Sequence, residues 1–314
     1  MELAQIGADV YTCLQPDTGL GASNSGFVNR GGGMVVDTMW DLPRTRHLID
    51  LYATVAREPS RRLVNTHHNG DHCWGNQLFA EVGTEIIGHR LCAEYFEREA
   101  SPEFFVALCE ADDVGPPFDG FARALRAFDF RDIVLTPPTT LIDTDTVVDL
   151  DGLEAHLLYV GPAHTPGDVV VHLPGEGIVF TGDILFHHCT PIGWEGTFAN
   201  WISALERIEA LEPATVVPGH GPLADAEGLR ALREYLEYVL ADARESFDAG
   251  RSTLEAAKHV ELGPYARWTE PERLAFQIDR AYREFEGVAW DAKVDTGRVF
   301  GEVAELRAYY DALV

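Results

Sequence analysis

The chain is short of positive charge. It carries 24 Lys and Arg against 51 Asp and Glu, a formal net charge of −27. So acidic a surface repels phosphate backbones and anionic lipid, which argues against nucleic acid or a membrane as a main partner. Cysteine is scarce as well. Cys13, Cys73, Cys92, Cys109 and Cys189 are odd in number and form no C-x-x-C pair, so a disulfide framework is not expected and reduced thiols fit. No apolar run approaches the roughly 18 residues of a transmembrane helix. The opening MELAQIGADVYT lacks the basic stretch and apolar stretch of a signal peptide. These absences lead to the expectation of a cytoplasmic protein. There is no Gly-x-Ser-x-Gly elbow and no Walker-type loop, so serine-hydrolase and nucleotide-hydrolase chemistry has no support. NRGGGM and GEGIVFTGD read as turns.

What is present is an ordinary globular composition, 46% hydrophobic over 314 residues, enough for one large domain or one domain with an appendage. Short strands broken by Gly and Asn come first (ADVYTCL, SGFVNR, GMVVDT), followed by helical spacing over residues 42–56 and the strand RRLVNT. A helix start at 74–82 and the strand EIIGH lead into two or three helices over about 90–130. The strands VVDL, EAHLLYV, DVVVHLP and GIVFTGD come next, then a helix near 199–211 and the strand ATVVPGHG. Beyond Pro222, Leu229, Leu232, Leu236, Val239, Leu240 and Ala243 recur at helical steps. Ser252 with Glu255, and Thr269 with Glu272, read as capping boxes opening two further helices. The chain thus divides into residues 1–225, with a helical insertion at about 90–130, and a helical extension over 226–314.

One pattern occurs four times: an apolar run ends and a metal-ligand residue follows. LVNT leads to His67, LLYVGPA to His164, IVFTG to Asp183 and VVPG to His220. The first of these opens the cluster HHNGDH, with His67, His68, Asp71 and His72 in six positions. Strand ends that present ligand side chains along one edge build a site on loops held by a rigid scaffold.

These residues, with Asp37 in GMVVDT, resemble the five signatures of the metallo-β-lactamase-fold superfamily, in its order and over roughly residues 8–225. The resemblance implies an α/β fold, an αββα sandwich with one or two metal ions, usually zinc, at one edge. Carried over by position, one metal would take His67, residue 69 and His164. The other would take Asp71, His72 and His220, with Asp183 bridging and Asp37 in support. Imidazole and carboxylate donors suit zinc, and also iron or manganese.

Residue 69 departs from the pattern, because Asn69 stands where the family has His. A carboxamide oxygen is a weaker ligand than imidazole, so the expectation is tight binding at the second site and a weak or empty first site. Three alternatives stay open: Asn69 ligates weakly or through water and two metals bind, His68 swings in to compensate, or the metals are lost and the chain is a binding protein on an enzyme scaffold. Metal held by such a set lowers the pKa of water toward neutrality and polarises a carbonyl. Asp71 is the candidate general acid or base. The expected reaction is hydrolysis of an ester, thioester or lactone bond of a small aromatic or apolar substrate. The alternative is ring closure or release of the kind carried out by aromatic polyketide cyclases and thioesterases of this fold. Trp74, Phe186, His187, His188, Trp194 and Trp201 are the candidate walls of the mouth. An acyl carrier protein or a coenzyme A thioester would then deliver the substrate, with Arg90, Arg98, Arg123 and Arg126 as a candidate basic patch. The helical extension would cap the site or form a homodimer surface.

Overall fold

The computed structural model describes residues 1–15, 19–56, 58–98 and 101–313. The chain runs β1 (Glu2–Gly7), β2 (Val10–Leu14), β3 (Ser25–Val28), β4 (Met34–Val36), α1 (Leu42–Ala53), β5 (Arg62–Val64), the short helices α2 (Gly70–Cys73) and α3 (Asn76–Ala80), and β6 (Glu85–His89). The insertion follows as three helices, α4 (Arg90–Tyr95), α5 (Pro102–Glu110) and α6 (Pro116–Leu125); residues 99 and 100 within it lie outside the described residues. Then come β7 (Thr140–Ile142), β8 (Thr146–Asp149), β9 (Glu154–Tyr159), β10 (Val169–Leu173), β11 (Ile178–Phe186), α7 (Phe198–Glu209) and β12 (Thr215–His220). The extension holds α8 (Ala226–Asp248), α9 (Thr253–His259), α10 (Leu274–Phe285) and α11 (Thr296–Asp311).

Among the described residues the strands form two sheets, one in the order β1 to β7 and one in the order β12-β11-β10-β9-β8. Alternation of side chains along a strand shows how the sheets are layered. In β4, β5 and β6, Val36, Val64 and Ile87 turn toward the second sheet, while Val35, Leu63 and Ile86 join Leu48 of α1 and Phe79 of α3. In β10, β11 and β12, Val171, Phe180 and Val217 face the first sheet, while Val170, Val179 and Val216 pack with α7, α8 and α10. Strands covered on both faces must be apolar at consecutive positions, which is why VVV, IVF and TVV occur at all. The result is helix, sheet, sheet, helix: the αββα sandwich that the family resemblance implies.

The extension is fused to the second layer. One buried cluster contains Trp201 and Leu205 of α7, Leu232 and Val239 of α8, Ala256 of α9 and Ile278 of α10. Ser252 and Glu255 form the expected capping box of α9. Thr269 does not cap a helix. Its backbone bonds the loop beside β11, with Thr190 N donating to Thr269 O and Thr269 N donating to His188 O, so it stays extended; the chain turns at Glu270 (φ 55°) and α10 begins at Leu274. Two edge strands escape the sequence pattern: β1, half exposed, and the three-residue β7. None of the five cysteines forms a disulfide. Among the described residues no helix is long and apolar enough to cross a membrane.

Candidate metal centre

The ligand residues sit at strand ends along one edge of the sandwich. β5 leads into His67, with Asn69, Asp71 and His72 on the turn and α2 beyond it; the β9–β10 connection carries His164, β11 carries Asp183, and β12 ends at His220. Gly219 lets β12 approach Asp183, since a Cβ there would lie 1.9 Å from Asp183 Oδ1.

The side chains converge. His72 Nε2 lies 3.1 Å from Asp183 Oδ1, 3.7 Å from Asp71 Oδ2 and 3.4 Å from His220 Nε2. His220 Nε2 lies 3.3 Å from Asp71 Oδ2 and 3.4 Å from Asp183 Oδ1. The other oxygen of Asp183, Oδ2, is 3.9 Å from His67 Nε2 and 3.4 Å from His164 Nε2. Asp183 therefore stands between two ligand sets and turns one oxygen toward each. His67 Nε2 and Asp183 Oδ1 are buried with no aligned hydrogen-bond partner, a costly arrangement unless something else satisfies them.

The far sides of the rings fix which atom points inward. His72 Nδ1 is 3.0 Å from Asp37 Oδ2, and His220 Nδ1 is 3.2 Å from the Ala22 carbonyl. His67 Nδ1 is 2.9 Å from Thr66 Oγ1, whose single hydrogen is donated to Asp37 Oδ2 at 2.6 Å, so the hydroxyl accepts from His67. In all three rings Nδ1 is engaged by an oxygen on the far side, so Nε2 is the atom turned into the cage. Asp37 holds this outer layer together: its Oδ1 also accepts from Thr66 N at 2.7 Å, and its backbone is left-handed (φ 61°). His164 differs. Its Nε2 donates to Asn69 Oδ1 at 2.8 Å, and its Nδ1 is buried with no partner.

Electrostatics separates the two sets. Burial, then the charge of neighbouring His72, pushes His67 well below the ordinary imidazole value, and burial takes His164 down to about 4. These rings are neutral. Burial also acts to lower His72 and His220, but the carboxylates of Asp183 and Asp71 outweigh it, holding His72 well above its ordinary value and His220 at about 9. Burial would raise Asp71 and Asp183, yet the imidazolium charges keep both below the ordinary carboxylate range. The buried Asp183 and the partly buried Asp71 thus demand positive charge at the second set. Neutral nitrogens, anionic oxygens and the orphaned atoms fit a divalent cation such as zinc, iron or manganese. His67, His164 and Asp183 form one close group, and Asp71, His72 and His220 another.

The remaining candidates scatter. Phe186 stacks on His220 with centroids 5.1 Å apart and is buried, so it backs a ligand. Trp74, 1% exposed, packs against Phe105 and Phe130 beneath the loop; Trp201, fully buried, donates Nε1 to the Ile184 carbonyl. Neither offers a wall to substrate, because apolar rings this large complete the core. His187 Nδ1 lies 3.1 Å from the Pro222 carbonyl, and His188 is exposed. Trp194 is half-buried on Phe276 of α10, centroids 5.7 Å apart. His68 is buried and faces Glu195, 3.6 Å away, rather than the ligand sets. Each of the four arginines has a local partner. Arg90 pairs with Asp143, Arg98 stacks on Tyr95, Arg123 lies by Asp119 and Arg126 donates to the carbonyls of Cys109 and Ala111.

Sequence reading missed Arg280. This arginine of α10 is 1% exposed and donates Nη2 to the Ala163 carbonyl at 2.6 Å, one residue before His164. Its Nε and Nη1 have no hydrogen-bond partner, and its guanidinium lies 5.0 Å from the Trp201 ring. The one signal was a charged residue on the apolar face of LAFQIDRAY.

Comparison with known proteins gives a consistent picture. Residues 18–220 match the family described as the metallo-beta-lactamase superfamily. The metallo-beta-lactamase type 2 of Bacteroides fragilis is 36% identical over 72% of this chain and 82% of its own length. The 2,4-dinitroanisole O-demethylase subunit alpha of a Nocardioides strain is 25% identical over 76% of this chain, which spans 64% of that protein. A hydroxyacylglutathione hydrolase of Methylococcus capsulatus is 28% identical over 67% of this chain and 70% of its own length. Among solved structures, a metallo-beta-lactamase family protein from Thermus thermophilus superposes with a TM-score of 0.63 at 19% identity, covering 89% of this chain and 94% of that one.

Proposed function

The chain belongs to the metallo-beta-lactamase superfamily, and on that premise we propose that it hydrolyses an ester or thioester of a small apolar or aromatic acid, with its metal held chiefly by Asp71, His72, His220 and Asp183. One observation carries the reading: His67 Nε2 is buried with no hydrogen-bond partner, and the oxygens of Asp71 and Asp183 lie 3.1–3.7 Å from His72 Nε2 and His220 Nε2 in a cage of oriented imidazoles. A metal held there would supply Lewis-acid chemistry, lowering the pKa of water and polarising a scissile carbonyl.

The chain's own groups supply the rest. Asp37 and the Ala22 carbonyl hold His72 and His220 in one tautomer. Asp71, with 14% of its side chain exposed, is more open than His72, Asp183 or His220. Held anionic by its neighbours, it can accept a proton from the attacking water and pass it to the leaving group. Phe186, stacked on His220, keeps bulk solvent away from the ligands. Asn69 already engages His164 Nε2, which supports the reading of the first ligand group as the weaker one. Support for the substrate class comes from the relatives named for a thioester hydrolase and for demethylation of an aromatic ether.

The test is a panel of aryl and alkyl esters and thioesters, assayed with chelator-stripped protein and after return of zinc, iron or manganese. The reading requires hydrolysis that is lost on stripping and restored by metal. Equal rates with and without metal would contradict it.

A further inference from the structure

A cavity of about 250 Å³ belongs to no ligand set. It is walled by the insertion and the extension together. Phe121 comes from α6, Phe276 from α10, and Phe300 and Val303 from α11, while Leu20 and Ile192 come from the loops before β3 and after β11. Phe300 joins the walls: its centroid lies 4.7 Å from Phe121 and 5.4 Å from Phe276, and Trp194 extends the row, its ring tilted at 44° to Phe276.

The position of Leu20 and Ile192 ties the cavity to the metal. Leu20 is two residues from Ala22, whose carbonyl orients His220, and three from Ser23, whose hydroxyl donates to the Asp71 carbonyl at 2.6 Å. Ile192 precedes Gly193, where a Cβ would come within 3.1 Å of His164 Nδ1. The two loops that support the ligands therefore also form the inner edge of the cavity. Its charges cancel: Glu270 pairs with Arg273, and Glu272 with Arg307. Arg123 stands exposed at the rim beside Asp119. An anionic or cationic group entering here meets no unpaired counter-ion, whereas an apolar ring gains three aromatic faces and loses its water.

We infer that this cavity receives the acyl side of the substrate, and that its preferred occupant is a neutral aryl-alkyl group carried next to the scissile carbonyl. The inference rests on the hydrolase reading above. It makes the helical insertion and extension, which the ligand motifs do not contain, the parts that set specificity. Aromatic walls contributed by three separate helices would select a flat group over a branched or charged one.

The experiment compares the acetyl and 3-phenylpropanoyl esters of one alcohol, using full-length metal-loaded protein, Val303→Trp to fill the cavity and Phe300→Ala to enlarge it. The readout is the ratio of kcat/KM for the two esters, with metal content measured in each variant. Val303→Trp should shift the ratio against phenylpropanoyl on the order of tenfold, and Phe300→Ala, which removes one of the three aromatic faces, should shift it in the same direction, with metal content as in the parent. An unchanged ratio in both variants, with metal retained, overturns the assignment. A parent that cleaves neither ester sinks the hydrolase reading separately, and calorimetry with the uncleavable ketone 4-phenyl-2-butanone then decides the cavity. Binding by the parent and its loss in Val303→Trp supports the assignment, and no binding by the parent overturns it.

Discussion

At the scale of residues, the chemistry turns on one carboxylate, one carboxamide and two imidazoles. Asp183 turns one oxygen toward each ligand set, so Asp183→Ala should remove most of the bound metal and of the metal-dependent activity; full metal content in that variant, by elemental analysis, would contradict its bridging place. Replacing Asn69 with His frees His164 Nε2 from the carboxamide and adds a stronger donor. Metal per chain should then rise toward two, and an unchanged stoichiometry would show that residue 69 does not limit the first site. Proton linkage gives a further outcome. Without metal, His220 is raised from 6.5 to about 9, so its pairing with Asp71 and Asp183 stabilises the metal-free fold below pH 6.5, and that contribution fades as pH rises through 9. Metal must displace the proton, so metal uptake near neutral pH should release protons and its affinity should climb with pH up to about 9. Calorimetry in buffers of different ionisation enthalpy measures this; no buffer dependence would contradict it. The ligands were legible in the sequence because each follows an apolar run that ends in Gly, Pro, Asn or Thr. Arg280 was not, because a charged residue on an amphipathic helix reads as solvated until the helix is seen packed against His164.

At the scale of elements, strand alternation carried most of the information. Val35 and Val36, Leu63 and Val64, and Ile86 and Ile87 each send one side chain to either face, and such runs are visible in the sequence as continuous apolar stretches. β1 and β7 were not, since edge strands bury little and need no pattern. The Thr269 box misled for a different reason: its residue types suit a helix start, but tertiary hydrogen bonds to the His188–Thr190 loop claim the backbone first. A cap that did form lies close to the metal. Thr197 Oγ1 accepts from Asn200 N at 3.2 Å and starts α7, whose Trp201 ring lies 5.5 Å from His164. Thr197→Ala should cost about 1 kcal/mol and lower the melting temperature by roughly 2 °C in a chain this long. A melting temperature unchanged within error would show that the cap does not support the helix.

At the scale of the whole molecule, a sandwich that could host many reactions is completed by helices of this chain's own. The ligand edge follows the family; the cavity is made by α6, α10 and α11, which lie outside or between the ligand motifs. No single stretch of sequence reveals it, because its walls meet only after α11 packs on α6. The net charge of −27 acts over the same scale. Self-repulsion should make the fold more stable as salt shortens the screening length from about 30 Å at ~0.01 M to about 10 Å at ~0.1 M, and a melting temperature that falls with added NaCl would oppose this. The central claim, that the cage is a metal centre whose stronger half is Asp71, His72, His220 and Asp183, is tested most directly by elemental analysis of freshly purified protein before and after supplementation with zinc, iron or manganese. The account predicts about one ion per chain, retained through gel filtration, with a second bound only weakly; a chain that holds no metal even after supplementation would contradict it.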